Sequence, residues 1–410
     1  MSEKLTVKNV VNINKSTLSA KDNWSTLKYL DTGNITENQI DTLQIFQKGE
    51  KLPSRAKRKV EKGTIIYSTV RPNQKHFGYF DTHSNDLVVS TGFATLDVID
   101  PRINSKYLYY LLTQNSVISQ LQSIGENSTS SYPSIRPEDI GNLSFVFPDI
   151  DIQNKIADIL TSIDKKIQIN NQINQELEAM AKTLYDYWFV QFDFPDQNAK
   201  PYKSSGGKMV YHPELKREIP EGWGVDSLWN IANFYNGLAM QKYRPDTNED
   251  DYVPVIKIRE MMNGFSKDTE RARLDIPSEA VVDRGDILFS WSATLEVIIW
   301  GKEKGALNQH IFKVTSDTYP KSFIYFELKS YLKVFKAIAE LRKTTMGHIT
   351  QDHLKQAKIV VPPIELISKL DAKLQPIMLK QQILENQNQE LTQLRDWLLP
   401  MLMNGQVKVE

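Results

Sequence analysis

Asn-Gln-Glu-Leu occurs twice in this chain, at 174–177 and 388–391, and the shift of 214 residues between the copies (388 minus 174) also superimposes other landmarks. Pro148 falls over Pro362, and Ile135 over Ile349. Ser134-Ile-Arg-Pro-Glu-Asp-Ile140, closing at Phe147-Pro148, therefore lies over His348-Ile-Thr-Gln-Asp-His-Leu354, closing at Val361-Pro362. A duplicated chain of 410 residues has length enough for two like modules with full cores. Two like modules suit a ligand with two like halves, and DNA is the leading candidate.

The residues around these landmarks set out the modules. The start, about 1–20, is polar and reads as frayed, and Trp24 begins a segment of short β-like runs. Residues 63–70, 87–90 and 94–99 read as strands, a helix follows at about 104–122, and 145–148 closes the first module. The second opens at Ile219-Pro-Glu-Gly-Trp223, with Trp223 in the part of Trp24, and Gly285-Asp-Ile-Leu-Phe-Ser290 repeats the logic of 63–68. Strands at 297–300 and 311–314, a helix over 322–341 and a closing run at 358–362 follow. The stretch 195–218, with its Pro, Gly and Ser, reads as a connector rather than an element.

After each closing proline the hydrophobic period changes. Ile152, Ile156, Ile159, Ile163 and Ile167 recur at spacings of four, three, four and four, and Leu177, Met180 and Leu184 extend the stripe. The spacing predicts one amphipathic helix of about 40 residues, close to 60 Å long. A second is expected over 364–401, with Ile367, Leu370, Leu374, Ile377, Leu384, Leu391, Leu394 and Leu398 on one face and a kink or join at Pro376. Neither stripe has a domain of its own to bury it on this reading, so the two helices are expected to bury their stripes on each other as an antiparallel coiled coil. The fold class is α+β: two similar domains joined by two long paired helices, with approximate two-fold symmetry. The expected boundaries are 1–148 and 219–362 for the domains, 149–194 and 363–410 for the helices, and 195–218 for the connector. Two reading modules on such a spacer match the repeat of DNA, about 34–36 Å per turn.

Composition removes other classes. With no cysteine, disulfides, thiolate catalysis and cysteine-ligated metal sites are excluded, which fits a reducing cytosol and a cytoplasmic protein. No apolar run approaches the roughly 20 residues needed to cross a bilayer, so no membrane is involved. Fifty basic residues balance fifty acidic ones, which argues against coating DNA by charge alone and leaves a site-specific binder with local basic patches. Catalytic motifs are missing. Val361-Pro-Pro-Ile364 lacks the polar first residue and the aromatic of a loop that holds a flipped base. Gly206-Gly207 lies in the connector, no P-loop is present, and Pro245-Asp246 has no nuclease partner at 255–258. His348 and His353, five apart, do not share a helix face, and no metal spacing occurs elsewhere.

One family carries these features in the same order. Ile219-Pro-Glu-Gly-Trp223, Asn236-Gly-Leu-Ala-Met-Gln-Lys-Tyr243, Val255-Ile-Lys-Ile258, Arg284-Gly-Asp-Ile-Leu-Phe-Ser290, Leu307-Asn-Gln-His310 and Val360-Val-Pro-Pro363 follow one another, with the repeat and the two helices around them. In these features the chain resembles the specificity (S) subunit of type I restriction–modification systems. The first module departs more, with Asn23-Trp24 for the Pro-Glu-Gly-Trp opening and Thr91-Gly92 where the second has Asn308-Gln309-His310. The resemblance implies a non-catalytic subunit whose two target recognition domains each read half of an interrupted, asymmetric double-stranded DNA site. It implies that the paired helices set the gap and dock two methyltransferase (M) subunits, and that two restriction (R) subunits can join. S-adenosylmethionine, ATP and Mg2+ are then expected on the partners and no cofactor on this chain.

On that reading the DNA contacts are expected among basic and polar loop residues. In the first module they are Arg55, Lys57, Arg58 and Lys59, in a basic run with Lys51 and Lys62, and Arg71, Lys75 and His76 after the strand. In the second they are Lys242, Tyr243, Arg244, Lys257, Arg259, Arg271, Arg273, Ser290, Thr294, Asn308 and His310, with Lys267, Trp291 and Ser292 beside them. Ser128–Ser131 and Thr344–Thr345 are polar enough to meet a backbone. Arg and Lys suit guanine, Asn and Gln suit adenine. Trp24 and Trp223 read as core plugs. Lys155, Lys166, Gln168, Lys380 and Gln382 are the exposed helix positions expected to meet partner subunits.

Overall fold

A computed structural model describes residues 4–19, 21–82, 86–128, 131–247, 251–341 and 348–409. The expected contacts at Thr129, Ser130, Thr344 and Thr345 lie outside the described residues. The chain divides into two compact units, one of residues 1–167 and 390–410, the other of residues 168–389. The division falls within the two long helices, Ile150–Tyr185 and Ile364–Met403. Each unit therefore holds one α+β domain, the start of one helix and the end of the other.

In the first unit Lys4–Thr6 pairs antiparallel with Ser144–Val146, and Val7–Val10 forms a short helix between the strands Lys4–Thr6 and Val11–Ile13. Val11–Ile13 edges a four-stranded antiparallel sheet that continues through Phe93–Val98, Ile65–Ser68 and Phe77–Tyr79. A second sheet runs Gln44–Gln47, Thr26–Leu30, Leu87–Ser90, Ala56–Lys59, with the middle pair parallel. Within the stretch expected to fray, the described residues from Lys4 onward are instead fixed, because Val7 and Val10 are fully buried in one core with Leu96, Leu108 and Ile140. The expected helix at 104–122 is two helices, Ser105–Leu112 and Asn115–Glu126, broken where the Gln114 side chain turns back to the Leu111 carbonyl.

The second unit repeats the order of both four-stranded sheets, the strand pair that closes the domain and the short helix, while the first unit's small hairpin of Ile35–Thr36 and Gln39–Ile40 has no counterpart among the described residues. Gly224–Ser227 pairs with Lys358–Val361, and Leu228–Ile231 is the short helix. Asn233–Asn236, Ile311–Thr315, Ile287–Ser290 and Glu296–Ile299 form one sheet. Arg271–Arg273, Tyr252–Ile256, Gly305–Leu307 and Val281–Val282 form the other, again with its middle pair parallel. Ile65–Ser68 and Ile287–Ser290 are buried at every position, as inner strands covered on both faces are. Each follows a glycine in the left-handed region, Gly63 at φ +91° and Gly285 at φ +87°. The matching shift here is 222 (285 minus 63), not 214, because the intervening loops differ in length. The topology also corrects one pairing of landmarks. Trp223 precedes the strand equivalent to Lys4–Thr6, whereas Trp24 precedes Thr26–Leu30, whose counterpart is Tyr252–Ile256, so Trp24 and Trp223 are not equivalent.

The connector is also an element. Met209–His212 and Arg217–Pro220 form a hairpin, and Phe194 stacks on both Tyr202 (4.6 Å) and Trp223 (5.0 Å). Ahead of it, the first long helix ends in a wide π-turn over Asp186–Val190, which turns Trp188 and Phe189 into the core of the second unit.

The second long helix runs unbroken through Pro376. Pro376 and Ala372 are both exposed, so the carbonyl that the ring leaves unbonded meets water. The apolar stripes do have domain cores to enter, contrary to expectation. In the first unit Ile156 and Leu160 join Leu108, Leu112, Leu121 and Leu402, with Ile159 and Leu398 at the edge, while Ile152 is 41% exposed and lies outside this core. In the second unit Ile367, Leu370 and Leu374 join Phe323, Phe326 and Tyr185, with Leu184 and Ile377 at the edge. Ile163 and Leu384 are buried, and Leu177 and Leu391 are half-buried.

Where the helices meet in the second unit, much of the seam is polar. Asn170, fully buried, donates to Asn388 (2.9 Å), Asn388 donates to Asn171 (2.7 Å), and Gln381 donates to Glu178 (3.2 Å). Numbers rise along one helix as they fall along the other, so the pairing is antiparallel. In the first unit the corresponding contact is Arg395 with Asp164, at 3.2 Å.

Candidate nucleic-acid interface

At one end of the two sheets in each unit, strand-end loops are laced by backbone hydrogen bonds. In the first unit Thr69 donates to the Gly92 carbonyl from both its N–H and its hydroxyl, each at 2.9 Å. Ile135 N–H donates to the Thr69 carbonyl (2.9 Å), Thr91 N–H to Arg55 (2.9 Å) and Arg71 N–H to Pro133 (2.8 Å). In the second unit Trp291 N–H donates to His310 (3.1 Å) and Ile349 N–H to Trp291 (2.8 Å). The repeated isoleucines Ile135 and Ile349 thus hold the same clasp in the two units. What differs is the residues at its corners: Thr69 and side-chain-less Gly92 in one unit, Trp291 and His310 in the other.

The second cluster is tighter. A Cβ on Gly237 would stand 2.1 Å from the Asn308 carbonyl oxygen, so only glycine permits that approach. The Trp291 indole N–H donates to Asn236 (2.9 Å), and its ring faces His310 at 5.0 Å and His348 at 5.7 Å. His310 sits at φ +77°, a strained position for a non-glycine residue. Asn308 is buried, and its side-chain oxygen, like Nδ1 of His310 and of His348, has no hydrogen-bond partner among the described residues. Buried polar groups of this kind are costly unless something else satisfies them.

Charge divides the expected contacts into two groups. Arg55, Lys57 and Lys242 are exposed and make no ion pair among the described residues. Arg71 is exposed, with its guanidinium over the Tyr132 ring at 5.3 Å, and Arg271 lies over Tyr252 at 4.2 Å. These cations are available to phosphate.

The others are engaged within the fold. Lys59 pairs with Asp22 and Lys75 with Glu37. Lys257 pairs with Glu270 at 2.6 Å and Arg244 with the same carboxylate at 3.6 Å, and the Lys257 bond first, then the Arg244 charge, hold the Glu270 pKa below its ordinary value. Arg259 pairs with buried Glu260 and Arg273 with Asp275. Arg58 is half-buried and its Nε lacks a partner among the described residues; burial lowers its pKa. His76 is held on the Ile35 carbonyl.

Ser290 is corrected outright. It is fully buried, its hydroxyl donates to the Thr294 carbonyl (2.5 Å), and no part of it faces solvent. Thr294 is exposed and Tyr243 half-buried. Tyr132 and His348 belong to the clusters although their residue types give no signal; their closeness in sequence to the repeated isoleucines is what could find them.

Among the described residues no group of three His, Cys, Asp or Glu could hold a metal ion, and no helix is long and apolar enough to cross a membrane.

With fold and clusters in view, comparison with known proteins becomes informative. The sequence model of the type I restriction modification DNA specificity domain matches residues 2–179 and 220–393, once over each module, and the chain belongs to that family. It is 27% identical to the type I restriction enzyme HindI specificity subunit of Haemophilus influenzae, across 92% of this chain and 94% of that one. It is 27% identical to the MjaIX specificity subunit of Methanocaldococcus jannaschii, across 93% of this chain and 84% of that one. In fold it resembles the crystal structure of a type I restriction-modification S subunit from M. genitalium, with a TM-score of 0.55 at 15% identity over 98% of this chain and 95% of that one. The protein is a DNA sequence-specificity subunit with two recognition domains, and not an enzyme.

Proposed function

We propose that the two strand-end clusters are the reading heads, one for each half of an interrupted, asymmetric double-stranded DNA target. The observation that carries this is the shared backbone clasp of Ile135 and Ile349, which holds different side chains in the same place. One frame with two side-chain sets is what reading two different half-sites requires. The recognition domains on this reading are residues 1–148 and 219–362. The helical segments 149–194 and 363–410 serve as the spacer that sets the unread gap, with 195–218 joining them. Arg55, Lys57, Arg71, Lys242 and Arg271 make the first phosphate contacts. The ion-paired Lys59, Lys75, Arg244, Lys257, Arg259 and Arg273 contribute where a phosphate displaces their carboxylates. Trp291, His310 and Thr294 face the second half-site, and Asn308, buried two residues before His310, supports them from within the fold.

The long helices are also the docking surface for two methyltransferase subunits, with two restriction subunits joining the assembly. Ile169, Met180, Leu379, Ile383, Leu394 and Trp397 are exposed along them, beside the polar Lys155, Lys166, Gln168, Lys380 and Gln382; apolar surface of this extent on a soluble helix fits a partner. S-adenosylmethionine, ATP and Mg2+ belong to those partners, and the assembly works in the cytoplasm.

Charge reversal tests the reading. Arg55→Glu with Lys57→Glu, in the complex with methyltransferase, is expected to weaken binding to all sequences alike. It should also lower the slope of log affinity against log salt by about two, one for each phosphate left without its cation. Methylome sequencing of the unaltered complex should show one bipartite motif. An unchanged salt slope would return these cations to a merely solvated role, and methylation without a bipartite motif would end the proposal.

A further inference from the structure

Arg395, near the end of the second long helix, reaches into the first recognition domain. Its guanidinium lies 3.2 Å from Asp164 of the first long helix, 2.9 Å from Asp396 and 3.9 Å from Glu37 of the domain. Tyr110 donates to the other oxygen of Asp164 (2.7 Å). Glu37 in turn pairs with Lys75, and its N–H donates to the Lys75 carbonyl (2.9 Å). Lys75 closes the loop that begins at Thr69 and carries Arg71. Charge pairing therefore runs without a break from the helix pair to the loop proposed to face DNA. These groups line a cavity of about 250 Å³, which keeps the pairs partly out of water.

The loop needs such a hold. Arg71 (φ 47°), Lys75 (φ 57°), Glu37 (φ 46°) and Asn38 (φ 66°) all lie in the left-handed region, and none is glycine. Left-handed non-glycine residues persist only where their surroundings over-determine them. Burial opposes the charge on Arg395, yet Asp164 and Asp396, with Glu37 behind them, raise its pKa above the ordinary value, so the cation is held in place by its neighbours.

Among the described residues the second unit has no copy of this link. At the 214-residue shift Arg395 falls over Ala181 and Asp164 over Met378. Ala181 is fully buried in an apolar core.

We infer that Arg395 is a positioning residue for the first recognition domain, setting the pose of the loop 69–76 through Glu37 and Lys75 and so sharpening the readout of one half-site only. The inference rests on the proposed reading of the two domains. Its test is methylation by the assembled complex on substrates carrying single-base changes in either half-site, the half-sites being assigned by exchange of the first domain. Arg395→Gln is expected to reduce discrimination in the first half-site by about three- to tenfold, leave the second unchanged, and be largely rescued by Arg395→Lys. Should Arg395→Gln lower the melting temperature too far for assay, Glu37→Gln cuts the same link at the domain side and is expected to give the same one-sided loss.

Equal loss at both half-sites, or no loss with either variant, overturns the inference while leaving the two-headed reading intact. An unaltered complex that marks no bipartite site overturns that reading instead.

Discussion

Glu327 lies inside the second unit, where Tyr185 donates to its carboxyl at 2.6 Å. Burial pushes its pKa up to about 7, against the lowering effect of the Tyr185 bond and the Arg217 charge. A carboxyl raised in the folded state binds its proton more tightly there than in the unfolded chain. Stability is then fullest below the unfolded value of about 4.3 and declines as pH rises toward 7, with no further change above. Glu327→Gln keeps the shape and removes the ionisation. It is expected to raise stability at pH 8 by about 1–2 kcal/mol and to flatten the decline between pH 4.5 and 7. Thermal unfolding across that range checks it, and an identical pH profile for the variant would show that the carboxyl ionises alike in the folded and unfolded chain. Tyr185 closes the first long helix, so this pair sits where that helix meets the core of the second unit.

At the scale of elements, what the residues reveal depends on whether a pattern is local. The long helices are legible because period 3.6 persists over many turns at Ile156, Ile163, Ile367 and Leu374. Their burial is not legible, because periodicity says that a stripe must be covered and not by what. Ile156 and Ile367 enter domain cores, and the seam within the second unit holds the amide group Asn170, Asn171 and Asn388, which reads in sequence as a solvated face. The strand at Lys4–Thr6 is illegible for the same reason, since its partner at Ser144–Val146 lies at the far end of the domain. The clasp at Ile135 and Ile349 is visible as a repeat, and its partners Thr69 and Trp291 are hidden by the drift of the shift from 214 to 222. Buried amides specify register in paired helices, because a slipped partner leaves them unsatisfied. A spacer change must therefore treat both helices together. Seven residues added after Gln172 and seven after Asn386, equivalent positions in the repeat, keep the seam facing inward and lengthen the pair by about 10 Å. The unread gap is expected to grow by about three base pairs at roughly 3.4 Å each, with both half-sites retained in the methylome. A changed half-site, or an unchanged gap, would show that these helices do not measure the spacing.

At the scale of the whole molecule, charge decides how the chain can use its clusters. Fifty cations are balanced by fifty anions, and several of the cations nearest the loops proposed to read DNA are already paired, Lys59, Lys75, Lys257 and Arg273 among them. Each pair must open before a phosphate can replace its carboxylate, and of the cations proposed to meet phosphate only Arg55, Lys57, Arg71, Lys242 and Arg271 are both exposed and without an ion pair among the described residues. Non-specific affinity scales with the phosphates neutralised, so the isolated chain is expected to hold DNA weakly. Selectivity is a separate quantity, set by base contacts on a correctly posed frame. A partner that adds phosphate contacts raises total affinity without altering which bases are read. In a gel shift at about 150 mM salt the chain alone is therefore expected to give no stable band. With its methyltransferase present it should retain target DNA at least about a thousandfold more tightly than scrambled DNA, the low end for specific binders. Equal retention of target and scrambled DNA by the full assembly would mean that base recognition resides outside this chain. Tight selective binding by the chain alone would mean that its own cations suffice and that the partners are recruited for chemistry only.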